Sequence, residues 1–289
     1  YRISFEIVAK SSGIGFYVVA PDELALAVEK KINGAYPDAE IDIVDPNEVW
    51  DRGDFTDVAE LKLSGAPYYP IRTFEDLASD ALSSITASMS KLSDTDVIAL
   101  QYIIKPAGGG WRRRGNAFVA GVRKRSSDPE KGTSIDTSFL EGVEKKVSKL
   151  GFHVSIRVVS IAENKGIAKN HIQNVVTAFE QFTDVKYNKF KKVNPKARRT
   201  VSNFIYRSLP ILNLSVPILD ISLFRNVSIL NTQEMATIFH FPTGEVKTPG
   251  IIWLRARKAP CPENISIEGL YLGKNVYRGG EKSVHMIEK

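Results

Sequence analysis

The chain has 289 residues, 43% of them apolar and 25% charged, with 39 Lys+Arg against 33 Asp+Glu. That is the composition of a folded protein of one large domain or two smaller ones, and its formal net charge of +6 is a modest field at this size. No uncharged apolar run approaches the roughly 20 residues of a membrane-spanning helix; the nearest, SLPILNLSVPIL between Arg207 and Asp220, is shorter and carries Pro210 and Pro217.

The single Cys261 excludes an intramolecular disulfide framework and a Cys-rich zinc site, and is compatible with a reducing compartment. The chain opens at Tyr1 directly into an alternating apolar segment, YRISFEIVAK, with no initiator Met or signal h-region. It is therefore expected to be a piece of a longer protein, with any targeting segment outside it.

In chain order, IGFYVV from Ile14 to Val19 has the short, β-branched and aromatic pattern of a strand, and Pro21 suits the first position of a helix. That helix carries Leu24, Ala27, Val28 and Ile32 at helical spacing and is expected to end with Gly34 in the left-handed C′ conformation. AEIDIV, Ala39 to Val44, alternates apolar and acidic residues as a half-buried strand does, and VAELKLS, Val58 to Ser64, alternates again. Thr73 offers an N-cap with Asp76 three positions on, and Phe74, Leu77, Ala81, Ile85, Met89 and Leu92 follow at helical spacing. VIALQYIIK, Val97 to Lys105, is a further strand. The order β, α, β, β, α, β predicts a ferredoxin-like split βαβ lobe over residues 1–125.

The polar stretch RKRSSDPEKGTS, with Pro129 and Gly132, reads as a flexible loop over 126–133. A second lobe is predicted over 134–241. Phe139, Leu140, Val143, Val147 and Leu150 share a helical face closed by Gly151, FHVSIRVVSIA follows as a strand, and Ala168, Ile172, Val175, Val176 and Phe179 mark a helix to about Phe182. Residues 242–289, with Pro242, Pro249, Pro260 and Pro262 and repeated Gly, read as an irregular strap ending in a short hairpin. The predicted class is α+β: two α/β-sandwich lobes, a Pro-rich strap and a hairpin.

Chemistry-bearing patterns are sparse. No Gly-x4-Gly-Lys-Ser/Thr run is present. Gly108, Gly109 and Gly110 precede Arg112 to Arg114, and a turn between sheet elements is favoured there over a phosphate cradle because no helix start is signalled. His153, His171, His240 and His285 have no metal-ligand spacing, and packing or capping accounts for His171 and His240. Cys261, between two prolines, has no basic or His neighbour to activate it. No catalytic or metal-ligating residue is assigned.

Charge is the clearer signal. Nine acids between Asp38 and Glu60, at 38, 40, 42, 45, 48, 51, 54, 57 and 60, face only Arg52, and read as a solvated acidic surface. Two acid-free basic spans oppose them: Arg112, Arg113, Arg114, Arg123, Lys124 and Arg125, and then Lys186, Lys189, Lys191, Lys192, Lys196, Arg198 and Arg199. Trp111, Tyr187 and Phe190 accompany them, a mixture able to follow a phosphate backbone and stack on bases. A solvated face is the plainer reading, with a protein or lipid partner and nucleic acid as alternatives.

The stretch from Leu230, LNTQEMATIFHFP followed by the strap and GLYLGKNVYRG, resembles the segment preceding the motor domain in bacterial type IV secretion and conjugative DNA-transfer ATPases, in particular a poorly characterised branch. There a helix of the form (S/N)T-x-E-(L/M)-A-x-(I/L)-F-H-(L/F)-P, here Thr232 to Phe241 with Pro242, leads through a Pro-rich strap to a GxYLGxNxYRG strand pair, here Gly269 to Gly279. The resemblance extends upstream from IGFYVVAP at Ile14 through FEQF near Phe179. No Walker motif is reached before Lys289, so the family's ATP-binding residues have no positions here, and ATP and Mg are expected only in a following motor domain.

The resemblance implies a non-catalytic amino-terminal domain that docks the motor to a membrane assembly or to neighbouring subunits. It would sit in the cytoplasm at the inner face of the membrane, touching the membrane only through segments outside this chain. Its partners would be protein subunits of the secretion or conjugation machine, including further copies of itself, and possible DNA. The alternative is a nucleic-acid-binding module using the basic spans 111–125 and 186–199. A hydrolase built on the 38–60 acids is disfavoured, since no base, nucleophile or pocket accompanies them.

Overall fold

The computed structural model describes residues 1–37, 39–44, 55–126, 137–195, 197–209, 227–243, 246, 248, 250–251, 261–262, 265, 268–277 and 280–287. Tyr1–Pro21 and Val49–Ile251 form one compact unit, and Asp22–Glu48 with Ile252–Lys289 a second. In the first, β1 (Ile3–Lys10) and β2 (Gly13–Val19) make a tight hairpin in which Lys10 faces Gly13, at φ +143°. The second unit holds α1 (Asp22–Ala35) and an antiparallel hairpin of β8 (Leu270–Tyr277) and β9 (Gly280–Met286).

The remaining strands are β3 (Phe55–Leu63), β4 (Val97–Pro106), β5 (Gly151–Ala162), β6 (Phe190–Val193) and β7 (Ser228–Asn231). They join β1 and β2 in one seven-stranded antiparallel sheet ordered β2-β1-β4-β5-β3-β6, with β7 pairing the first residues of β5 beyond the end of β3. Its helices are α2 (Ala81–Ser88), α3 (Gly110–Ser126), α4 (Thr137–Ser148), α5 (Lys165–Ala178), α6 (Ala197–Ile205) and α7 (Thr232–Ile238).

The α+β class read from the sequence is what is observed, and so is a hairpin at the carboxy-terminal end. Strands from 1–125 and from 134–241 share one sheet, however: β4 lies between β1 and β5, and β3 between β5 and β6. Interleaving follows from burial, because β4 and β5 are buried on both faces and must be central.

Several local expectations change. Ala39–Val44 is not a strand; Ile41, Ile43 and Val44 are exposed, since alternation alone does not supply a pairing partner. Gly34 lies inside α1 and Gly151 opens β5, neither at a left-handed φ. Gly151 is needed for close approach instead, because a Cβ there would come 2.5 Å from Trp111 Cζ2. The single helix expected from Phe74 is two pieces: a 3-10 turn, Phe74–Asp76, closed by the Thr73/Asp76 capping box, then α2, restarted by Asp80 accepting from Leu82 N at 2.7 Å. The glycine run leads into α3, whose buried stripe Trp111, Gly115 and Val119 has helical spacing that a glycine disguises. The GxYLGxNxYRG segment forms mainly β8, and the second strand of the pair lies beyond it, at 280–286. Of the loop 126–133 all but Ser126, and most of the strap, fall outside the described residues.

Strand alternation gives the sheet two different faces. On one, Ile7, Ala59, Leu61, Ile98, Leu100, Tyr102, Ile156 and Val158 meet Leu82, Ile85 and Met89 of the α2 region, Ile172 and Val175 of α5, and Ile238 of α7. On the other, Val8, Val58, Val97, Ala99 and Val159 pack with Phe204 of α6. That second face also carries a polar row. Glu6 faces Gln101, Gln101 faces Arg157, and Arg157 faces Glu60, each pair in direct register across β1, β4, β5 and β3. Directly opposed side chains are within hydrogen-bonding reach. Gln101 Nε2 donates to Glu6 Oε1 at 2.9 Å and to Phe204 O at 3.0 Å, while Arg157 Nη1 donates to Gln101 Oε1 at 3.1 Å and to Asn203 O at 3.0 Å. Arg157 also donates to Ser208 O, and its Nε lies 3.7 Å from Glu60 Oε1. Glu60, expected on a solvated acidic surface, is therefore buried in the core.

The carbonyls at the end of α6 are thus acceptors for the row, and the helix stops in a Schellman turn: Ser208 N donates to Asn203 O at 2.9 Å and Arg207 N to Phe204 O at 3.1 Å. The C′ residue of such a turn is usually glycine. Here it is Arg207, at φ +49°, held by a two-pronged pairing in which Nε meets Glu6 Oε1 at 2.9 Å and Nη2 meets Glu6 Oε2 at 3.2 Å. The buried carboxylate thereby offsets a backbone strain of about 1 kcal/mol. Arg207→Ala should lower unfolding free energy by about 2–3 kcal/mol, since it strands Glu6 and keeps the strain. Arg207→Gly should lose about 1 kcal/mol less. Urea denaturation of both variants checks the difference; equal losses would remove the strain from the account.

Candidate functional site

The first basic span is α3. Its residues divide by what they touch. Arg112 Nε donates to Val147 O at 2.8 Å and Nη2 to Ser148 O at 3.1 Å, capping the last carbonyls of α4 where the helix dipole is negative. Arg123 pairs with Glu144 at 3.0 Å, and Arg125 Nε bonds the Gly121 carbonyl. Arg113, Arg114, Lys124 and Arg125 are exposed. In the second span Lys186, Lys189, Lys191, Arg198 and Arg199 are exposed and Lys192 is half-buried, while Lys196 lies outside the described residues.

An aromatic chain joins the two spans. Phe118 of α3 lies 6.3 Å from Phe139 of α4, and Tyr187 stacks on Phe139 at 4.9 Å with ring planes 13° apart. Tyr187 also donates its hydroxyl to Ser138 O at 2.8 Å, over Gly142, where a Cβ would come 2.1 Å from the phenol oxygen. Trp111 and Phe190 are buried, in the α3–α4 core and the main core. The aromatics expected to stack on bases therefore hold helices and sheet together. What remains at the surface is cationic.

The signature helix α7 works inward. Asn231 and Glu234 form a capping box, and Glu234 also accepts from Ile71 N at 2.9 Å. Its other partner is Lys146 of α4, at 3.1 Å, with side-chain exposures of 0% for Lys146 and 1% for Glu234. Lys146 donates further to Tyr69 O and Ile229 O at 3.0 and 3.1 Å. Burial pulls the Lys146 ammonium below its ordinary value, and Glu234 opposes this. Thr237 accepts from Phe74 N, Gln233 donates to Thr73 Oγ1, and His240 Nε2 lies 3.0 Å from Asp80 Oδ1. Four polar residues of the motif thus fasten the chain between Ile71 and Asp80. Glu234→Ala should cost about 3–5 kcal/mol by leaving a buried ammonium unpaired, and the pair Glu234→Leu with Lys146→Met should recover most of it. Denaturant midpoints of the three proteins decide; equal losses would sink the ion-pair assignment.

One constellation was not foreseen. Ser160 Oγ on β5 lies 3.2 Å from His171 Nδ1 on α5, and His171 Nε2 lies 3.8 Å from Asp96 Oδ2, just before β4. These are the residue types of a nucleophilic triad. Ser160 has no exposed surface, so its hydroxyl cannot reach a substrate, and the group serves to pin α5 to the sheet. Only the fold joins residues 96, 160 and 171. Burial holds the His171 pKa below its ordinary 6.5 against the pull of Asp96, and burial with Lys105 does the same to His153. A histidine depressed on folding leaves stability complete above pH 6.5, and stability is lost as pH falls because the unfolded chain takes up the proton first. Melting temperature should therefore decline between about pH 7 and pH 5, and less steeply in His171→Gln. A parallel decline in the variant would exclude this cause.

Among the described residues no group of three or more His, Cys, Asp or Glu gathers as a metal site, and no helix is long and apolar enough to cross a membrane. Sheet and helices define an α+β domain with an open antiparallel sheet, helices on both faces and exposed cations on α3, β6 and α6. By its match over residues 1–254, the chain belongs to the family described as a domain of unknown function, DUF8128. No curated protein matches it.

Proposed function

We propose that the chain is a docking domain without catalytic function of its own, the amino-terminal region of a type IV secretion or conjugation-like ATPase. It connects the motor to neighbouring subunits or the membrane assembly at the cytoplasmic face. The observation that carries this reading is the division of charge: Glu6, Glu60, Lys146, Arg157 and Glu234 are paired inside the fold, whereas Arg113, Arg114, Lys124, Lys189, Lys191, Arg198 and Arg199 are exposed. Exposed cations of this kind steer association with an acidic partner surface. The resemblance around Asn231–Pro242 and Gly269–Gly279 supplies the machine in which such docking occurs, with ATP and Mg bound by the motor domain.

The second reading, a nucleic-acid module, draws on the same cations but loses its stacking platform, because Trp111 and Phe190 are buried and Tyr187 is stacked on Phe139. The purified chain should show no saturable ATP turnover, and its affinity for a single-stranded oligonucleotide should stay weak at low salt. Measurable turnover would overturn the docking reading, and tight binding with a steep salt slope would replace it by the second.

A further inference from the structure

β6 is the outer strand of the sheet next to β3, and among the described residues β3 is its only strand partner. The Lys189 carbonyl accepts from Ser64 N at 2.9 Å. Backbone groups of successive residues in an antiparallel ladder point alternately to the two sides, so the N–H and C=O of Phe190 and Lys192 are directed away from β3. Among the described residues the edge therefore offers unpaired donors and acceptors at strand spacing.

Its charges are arranged unfavourably for an isolated protein. Lys191 stands directly opposite Lys62, a like-charge cross-strand pair, and Lys189 shares that side of the strand. Just past the strand, Arg198 and Arg199 occupy the first turn of α6, where the helix dipole is already positive. Among the described residues none of Lys189, Lys191, Arg198 and Arg199 takes part in an ion pair. Repulsion gathered on an open backbone edge is relieved by an anion that also has strand geometry.

We propose that β6 accepts an extended acidic segment of a partner protein as an added β-strand, its backbone pairing with Phe190 and Lys192 and its carboxylates meeting Lys62, Lys189, Lys191 and the start of α6. This rests on the docking reading and names the chemistry of the docked segment. A peptide is favoured over nucleic acid because only a peptide backbone matches the amide spacing of the edge. Lysines on an edge strand also deter aggregation, and that role alone predicts no ligand.

The test uses the 289-residue chain and an eight-residue synthetic peptide alternating Glu with Val, followed by fluorescence anisotropy. The peptide should bind, and Lys189→Glu with Lys191→Glu should weaken it at least about tenfold without lowering the melting temperature, since a glutamate in place of Lys191 would face Lys62 favourably. A peptide N-methylated at alternate residues keeps its carboxylates and should lose binding by a similar factor. Lys192→Pro should bind worse than Lys192→Ala, because only proline removes the outward N–H. Absence of binding, or equal binding of the N-methylated peptide, overturns strand addition, as does an oligonucleotide that binds the same face more tightly. A chain that hydrolyses ATP overturns the docking reading instead, so the two failures are distinct.

Discussion

Arg157 places a cation in the middle of a sheet strand with no exposed side-chain surface, and much of the second face follows from satisfying it. Burial lowers its pKa to about 10 against the opposing pull of Glu60, so the guanidinium still carries its charge at neutral pH. A buried cation must be neutralised and hydrogen-bonded or the fold loses several kcal/mol. Glu60 supplies charge from one side, Gln101 a carbonyl from the other, and the end of α6 the backbone acceptors that neither strand can give. Because α6 must end over Arg157, its C′ residue lies over Glu6, where an arginine is more useful than the glycine the turn would otherwise favour. Register, helix docking and one strained residue are thus linked by a single desolvated charge.

The opposite face reaches a similar result by other means. Its core is apolar, and the ionic centre sits at the margin, where Lys146 of α4 meets Glu234 of α7. That pair ties the α3–α4 layer to the chain after β7. Two buried centres on different sides of the sheet hold three helices, α4, α6 and α7, none of which has the length to be stable alone. Ionic pairing specifies position here more than it adds stability, since apolar replacements of matching shape could hold the same elements.

Apolar, β-branched and aromatic runs made β2, β3, β4 and β5 legible in the sequence, because burial in a sheet leaves a direct trace in residue type. Pairing left no such trace: the alternation at Ala39–Val44 is as regular as that at Val58–Ser64, yet only the latter finds neighbours. The helices α3 and α6 were hidden by their own composition, Gly115 occupying one core position of α3 and arginines filling the exposed ones. The basic residues were all visible as charge. Which of them had partners was not, because Arg112 and Arg123 find theirs on α4 and the strand-edge lysines find none among the described residues. Glu60 misled for the same reason: a carboxylate in an acidic run looks solvated until the register sets it against Arg157.

The contrast between inside and outside bears on what the domain does. Inside, every one of the charged residues Glu6, Glu60, Lys146, Arg157 and Glu234 has an opposite charge within 4 Å. A chain that pairs these five charges where desolvation is severe nevertheless sets Lys62 against Lys191 on a strand edge and places two arginines in the first turn of α6. Solvent screens such repulsion, so it persists at modest cost in the free protein. Approach of a partner removes that solvent, and the same charges then reward an acidic surface and penalise a basic or neutral one. Selectivity of this kind costs little while the surface is wet and acts only at the moment of contact, which is the property the proposed docking edge requires.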